Sequence, residues 1–137
     1  MSSLRFRASQ ISVWQTATGS LVALLFVYLA AMSVELHRGL NTSAYDFGLY
    51  DQGIWLLSRF ENPFVTLMGR NLFGDHTSFI LVFLVPLYWV VGSSSLLFIV
   101  QSMAIAAGAI PVFLYTRKRL ESEIAATIFG FSFCCCA

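Results

Sequence analysis

Two acids and a cluster of aromatic residues share one short stretch. Asp46 and Asp51 stand among Tyr45, Phe47 and Tyr50. A carboxylate among aromatics at a membrane surface suits a general base with access to a lipid-borne substrate. On a helix, five residues amount to about 140° of rotation. The two acids therefore do not share a face, and one is expected toward a site while the other meets water. The simpler reading of both is a solvated acid in an exposed loop. Asp75-His76 stands directly ahead of an apolar run. His76 suits a proton carrier or a phosphate contact near neutral pH. Asp75 suits a helix N-cap, and a helix start also attracts anions, so the two roles are compatible. Arg70 and Arg59 suit either phosphate binding or anchoring to lipid head groups.

Other chemistries lack their residues. The net charge of +1 argues against a nucleic-acid partner, because phosphate backbones call for clustered Lys and Arg. The three cysteines, Cys134, Cys135 and Cys136, are consecutive and have no other cysteine to pair with. With two histidines and no CxxC, a zinc site lacks ligands. There is no phosphate-binding glycine loop and no serine elbow. No cofactor is expected, and nothing in the sequence decides for or against a divalent metal.

The candidate residues must be positioned by very apolar elements. Hydrophobic residues make up 58% and charged residues 11% of the 137 residues, far below the roughly 25% charged residues of soluble domains. The whole stretch from Thr77 to Thr116 carries no charge. About 20 apolar residues span a bilayer as one helix, and Gly92-Ser93-Ser94-Ser95 divides the stretch. The fold class expected is all-α and transmembrane, with about three spanning helices and an incomplete fourth. The spans are placed at about 13–34, 77–91 and 96–115, with a polar loop at 35–76 and a partial span at 124–137. A basic start and Ala30-Ala31 also resemble a cleavable leader, but the apolar part exceeds the usual core of about 7–15 residues. A retained helix is therefore expected.

Within the loop, residues 44–59 form an expected amphipathic helix. Phe47, Tyr50, Ile54 and Leu57 recur at spacings of three and four, which makes one apolar face. Such a helix lies along the membrane surface, and Asn62-Pro63 is expected to end it. The span at 77–91 contains Pro86 and is short for a hydrocarbon core of about 30 Å. In the span at 96–115, Ala104 and Gly108 offer a small-xxx-small face for close helix packing. The last apolar segment, Ile124 to Ala137, is too short to cross. Residues 1–137 are thus expected to be one N-terminal fragment of a larger membrane domain, completed by further helices or partner subunits.

Charge placement leaves three topologies open. Arg5 and Arg7 favour a cytoplasmic start, which puts the 35–76 loop outside. Three crossings then leave Arg117-Lys118-Arg119 outside, against the positive-inside tendency. The inverted arrangement satisfies more of the basic residues. In the third, the short segment at 77–91 does not cross.

Two polar elements resemble a known family. Tyr45-Asp46-Phe47-Gly48-Leu49-Tyr50-Asp51-Gln52-Gly53-Ile54-Trp55 resembles the YDxGxxDQxxW opening of the DUF2079 family of polytopic bacterial membrane proteins. Gly74-Asp75-His76-Thr77-Ser78-Phe79-Ile80-Leu81 is similar to that family's GDHFSPIL element, without its proline. Pro86-Leu87-Tyr88, Gln101 and Pro111 fall where the family has its PLY and LQ…LP elements. The similarity covers roughly residues 20–135. It implies a relation to the GT-C superfamily of glycosyltransferases, which carry a catalytic acid in the first extracytoplasmic loop and take a sugar from a polyprenyl-phosphate donor. On that resemblance Asp46 is the first choice for the base and Asp51 the second. Asp75, His76, Arg70 and Gln52 become contacts for the donor phosphate or the acceptor. The implied setting is the bacterial cytoplasmic membrane, with the 35–76 loop extracytoplasmic and membrane lipid as the surroundings. A fragment of this length is expected to be inactive alone. The alternative is a non-enzymatic membrane component, a transporter segment or an assembly subunit. The spans carry no ionisable residue of the kind transport uses, whereas uncovered helices favour a subunit.

Overall fold

The computed structural model describes residues 12–41, 44–74 and 78–136. Its first helix, α1 (Val13–Arg38), opens on a reciprocal cap. The Gln15 amide N–H donates to Ser12 Oγ at 3.2 Å, and the Ser12 N–H donates to Gln15 Oε1 at 3.0 Å. Ser-x-x-Gln thus satisfies two amide donors that a helix start leaves unpaired. The helix runs four residues beyond the expected Val34, because His37 and Arg38 place basic side chains at its negative end. It stops where Leu40 turns left-handed (φ 56°), with Leu40 N–H on the His37 carbonyl and Asn41 N–H on the Leu36 carbonyl. This pair of bonds closes the last turn of a helix.

α2 (Ala44–Ser58) ends in the same way. Phe60 is left-handed (φ 59°); its N–H donates to the Leu57 carbonyl, and the Glu61 N–H donates to the Leu56 carbonyl. The terminator is therefore this turn, upstream of the expected Asn62-Pro63. Pro63 instead accepts from the Leu72 N–H at 2.8 Å. That bond closes a small antiparallel hairpin of β1 (Phe64–Val65) and β2 (Arg70–Asn71), with Phe64 opposite Asn71. Gly69 supplies the positive φ (65°) in its turn.

Next comes a tight 3-10 helix, Phe79–Leu84, which continues into α3 (Val85–Val90). Pro86 explains the change of pitch. It has no N–H to give to the carbonyl of Val82, and that carbonyl takes the Val85 N–H instead. α4 (Ser95–Ala107) and α5 (Ala109–Leu120) are separated only by Gly108. Pro111 removes the bond that the Ala107 carbonyl would receive, which loosens the helix at that point. α6 (Glu123–Cys136) follows a left-handed turn at Glu121. Its start is capped by Ser122 Oγ, which accepts from the Ala125 N–H at 3.3 Å.

The chain divides into two compact units, Leu29–Ser102 and Met1–Tyr28 with Met103–Ala137. In the first, Ile54 is fully buried with Val85, Tyr88 and Leu96. Beside this group Leu49, Val65 and Leu72 form a second cluster under the hairpin. Gly53 lets α2 approach Leu72: a Cβ there would lie 2.6 Å from Leu72 Cδ2. In the second unit α5 and α6 pack as a hairpin, burying Ala109, Phe113 and Ala126. Gly108 has the close-packing role expected of it, since a Cβ would stand 2.7 Å from the Phe133 ring. Ala104 does not share that role and is exposed. Arg117 pairs with Glu123 across the turn at 3.1 Å.

The all-α class holds, with one two-stranded hairpin among the described residues. Among the described residues two helices are long and apolar enough to cross a membrane, Val13–Arg38 and Ser95–Leu120, each 26 residues. At 1.5 Å per residue each reaches about 39 Å, more than the roughly 30 Å of hydrocarbon. Along α1 the large apolar side chains Leu24, Val27, Tyr28 and Met32 are exposed, as lipid contact requires. The apolar segments Phe79–Val90 and Glu123–Cys134 are shorter. With its 3-10 half, Phe79–Val90 reaches only about 21 Å.

Candidate functional site

α2 carries the polar residues singled out in the sequence, and its own burial separates them. Leu49, Gly53 and Ile54 are buried along its length. Asp46 falls in the first turn and is exposed. An acid there faces the positive end of the helix. Asp51 lies half-buried, and the Tyr88 phenol donates a hydrogen bond to its Oδ1 at 2.8 Å. The structure thus turns the two carboxylates to different surroundings, as their spacing requires: one is open to water and one is held against α3.

Tyr88 is 7% exposed and belongs to the Ile54 cluster. It lies outside the two membrane-length helices. Burial above all, then its hydrogen bond to Asp51 and the charge of that group, pushes the phenol well above its ordinary pKa. The phenol therefore stays protonated and remains the donor. In the sequence Tyr88 stands within Pro86-Leu87-Tyr88 with no role marked by its spacing. The available signal was its type: a tyrosine in an apolar segment brings a hydroxyl that needs a partner.

Gln52 has a structural engagement. Its Oε1 accepts from both the N–H and the Oγ1 of Thr66, at 3.2 and 3.1 Å, and so ties α2 to the hairpin. Arg70 stands on β2 opposite Val65, with its side chain exposed. Gln52 and Arg70 therefore meet the same hairpin, since Thr66 follows Val65 directly. Asp75 and His76 lie outside the described residues.

A second cluster escaped sequence reasoning. The His37 ring lies 4.9 Å from the Phe47 ring and 5.0 Å from that of Phe98, and those two rings stack at 4.6 Å. His37 Nε2 is 3.2 Å from Ser94 Oγ. Phe47 thus leaves the Tyr50, Ile54 and Leu57 group, which packs about Val85 and Tyr88. It joins the ends of α1 and α4 instead. Nothing in the spacing of His37 and Phe98 along the chain marks this contact.

Chemically, α2 presents one accessible carboxylate, Asp46, and one carboxylate oriented by a hydrogen bond, Asp51. No group of three or more His, Cys, Asp or Glu side chains able to hold a metal occurs among the described residues. A family model described as predicted membrane protein (DUF2079) matches residues 36–136. That match takes in α2, the hairpin, Tyr88 and the whole of α4 and α5. No curated protein and no solved structure matches the chain.

Proposed function

The chain belongs to the DUF2079 family of predicted membrane proteins, and from that premise we propose a GT-C-like glycosyltransferase role, with a polyprenyl-phosphate-linked sugar as donor. The observation that carries the reading is the placement of Asp46 and Asp51 on one helix between two membrane-length helices. A lipid-linked donor is confined to the bilayer surface, so its acceptor must be activated there. Asp46 is the base, because its carboxylate is exposed to an incoming hydroxyl. Asp51, one oxygen of which is held by Tyr88, is the second candidate acid and faces α3 rather than Asp46. Arg70, Asp75 and His76 are the candidates for the donor phosphate. Gln52 acts through the hairpin that carries Arg70.

The same reading sets the topology. If Phe79–Val90 does not cross, the two long helices make two crossings. Arg5, Arg7, Arg117, Lys118 and Arg119 then lie on the cytoplasmic side, five of the eight basic residues. Arg38, Arg59 and Arg70 lie outside with Asp46 and Asp51. This arrangement agrees with the positive-inside tendency at both long helices. It also suits Tyr88, whose segment must stay on the side of α2 to reach Asp51. The membrane is the bacterial cytoplasmic membrane.

Asp46→Asn tests the chemistry in the full-length membrane protein. Loss of a general base lowers turnover by about 10²–10⁴-fold. The expected result is loss of sugar transfer from a polyprenyl-phosphate donor, with membrane expression retained. Transfer at the parent rate would remove Asp46 from the mechanism.

A further inference from the structure

α2 ends on a residue choice that local backbone preference does not explain. Phe60 is left-handed (φ 59°) at the position where glycine is usual, because glycine has no Cβ to crowd the backbone. Its ring does not repay this with burial, since the residue is 86% exposed. A strained backbone that displays an apolar ring points to something outside the chain for that ring to meet.

The neighbours say what kind of surface that is. The Phe60 ring stands 5.9 Å from the Trp89 ring, and Trp89 Nε1 donates to the Ser58 carbonyl at 2.8 Å. Arg59 lies over the Trp55 ring at 5.7 Å. Trp55 and Trp89 are themselves exposed. One end of α2 therefore combines three exposed aromatic rings with a guanidinium. Amphipathic rings favour the boundary between head groups and acyl chains, and a guanidinium pairs well with phosphate oxygens. The edge also lies close in sequence to a candidate membrane span. Trp89 stands shortly ahead of Ser95, where the second membrane-length helix begins.

We propose that this edge is a lipid-docking surface. Trp55, Phe60 and Trp89 enter the headgroup boundary, and Arg59 pairs with a phospholipid phosphate. The contact holds α2 at a fixed depth beside the membrane. It rests on the membrane character of the chain and is independent of sugar transfer.

The test uses the full chain in vesicles of phosphatidylcholine and phosphatidylglycerol. The chain has three tryptophans. Trp14→Phe with Trp55→Phe leaves Trp89 as reporter, and Trp14→Phe with Trp89→Phe leaves Trp55. A nitroxide near the carbonyl end of the acyl chain is expected to quench either reporter at least about twofold more than one near the terminal methyl, with dissolved iodide almost without effect. Strong iodide quenching without a nitroxide effect would overturn the proposal. Silence toward both quenchers would overturn it too, since that marks a second copy or another protein covering the edge. Phe60→Gly provides a variant that the backbone favours. Its thermal midpoint in detergent should not fall, while shallow quenching of Trp89 drops by about half. Unchanged quenching in that variant would remove Phe60 from the docking surface.

Discussion

Tyr88 and Asp51 are the residues whose pairing the chain depends on most visibly. The phenol is buried and donates to a carboxylate oxygen at 2.8 Å. Hydrogen bonds to charged groups carry more stability than neutral ones. Tyr88→Phe should therefore lower stability by about 1–2 kcal/mol, because Asp51 is only half-buried and regains water in place of the lost donor. Asp51→Asn keeps an acceptor oxygen and should cost less than about 1 kcal/mol. Thermal unfolding of the detergent-solubilised protein measures both, and an equal loss in the two variants would contradict the assignment of donor and acceptor. At this scale the sequence was informative about type and angle. Asp46 and Asp51 separate to open and sheltered surroundings as their five-residue spacing demands. The sequence was silent about pairing: the Asp51–Tyr88 contact joins residues 37 positions apart, and no local pattern encodes such a distance.

Elements were legible where a periodic or capping signal is strong. The apolar face of α2 is readable from Tyr50, Ile54 and Leu57, which do pack together around Val85 and Tyr88. Its extent is legible to within one residue, 44–59 against Ala44–Ser58, but its stop is assigned to Asn62-Pro63, because proline is a conspicuous signal and a left-handed Phe60 is not. The hairpin at Phe64–Asn71 was missed because its strands are two residues long, too short for alternation to register. Gly53 is the clearest case of tertiary packing overruling helix preference. Alanine is the better helix former by about 1 kcal/mol, yet a Cβ at this position would meet Leu72 at 2.6 Å from Cδ2 and 2.9 Å from Cδ1. Overpacking a filled core costs about 1–3 kcal/mol. Gly53→Ala should therefore destabilise the unit by about 1 kcal/mol net. Chemical unfolding followed by tryptophan fluorescence measures this, and a gain in stability would show that Leu72 moves aside freely. In a Leu72→Ala background, itself less stable because Leu72 is buried, Gly53→Ala should cost less than it does in the parent.

For the whole molecule, composition alone announces a membrane protein, and the helices Val13–Arg38 and Ser95–Leu120 have the length to match. What composition does not reveal is how many times the chain crosses. The uncharged stretch from Thr77 to Thr116 can be two spans or one span with an apolar segment lying beside it. The structure bears on that choice through geometry. Phe79–Val90 is half 3-10 helix, falls short of membrane length and hands Tyr88 to a carboxylate on α2. A segment that crossed fully would have to carry most of its length away from Asp51. The proposed two crossings would put the basic residues at both ends on one side of the membrane, with Asp46 and Asp51 on the other.

Cysteine accessibility tests this topology most directly. In the full-length protein with Cys134, Cys135 and Cys136 replaced by serine, Asp46→Cys and Lys118→Cys each introduce one reporter. With a membrane-impermeant maleimide on intact cells, the reporter at position 46 should label at once and the one at position 118 only after permeabilisation. Labelling of both positions from outside, or of position 118 alone, would contradict the two-crossing arrangement.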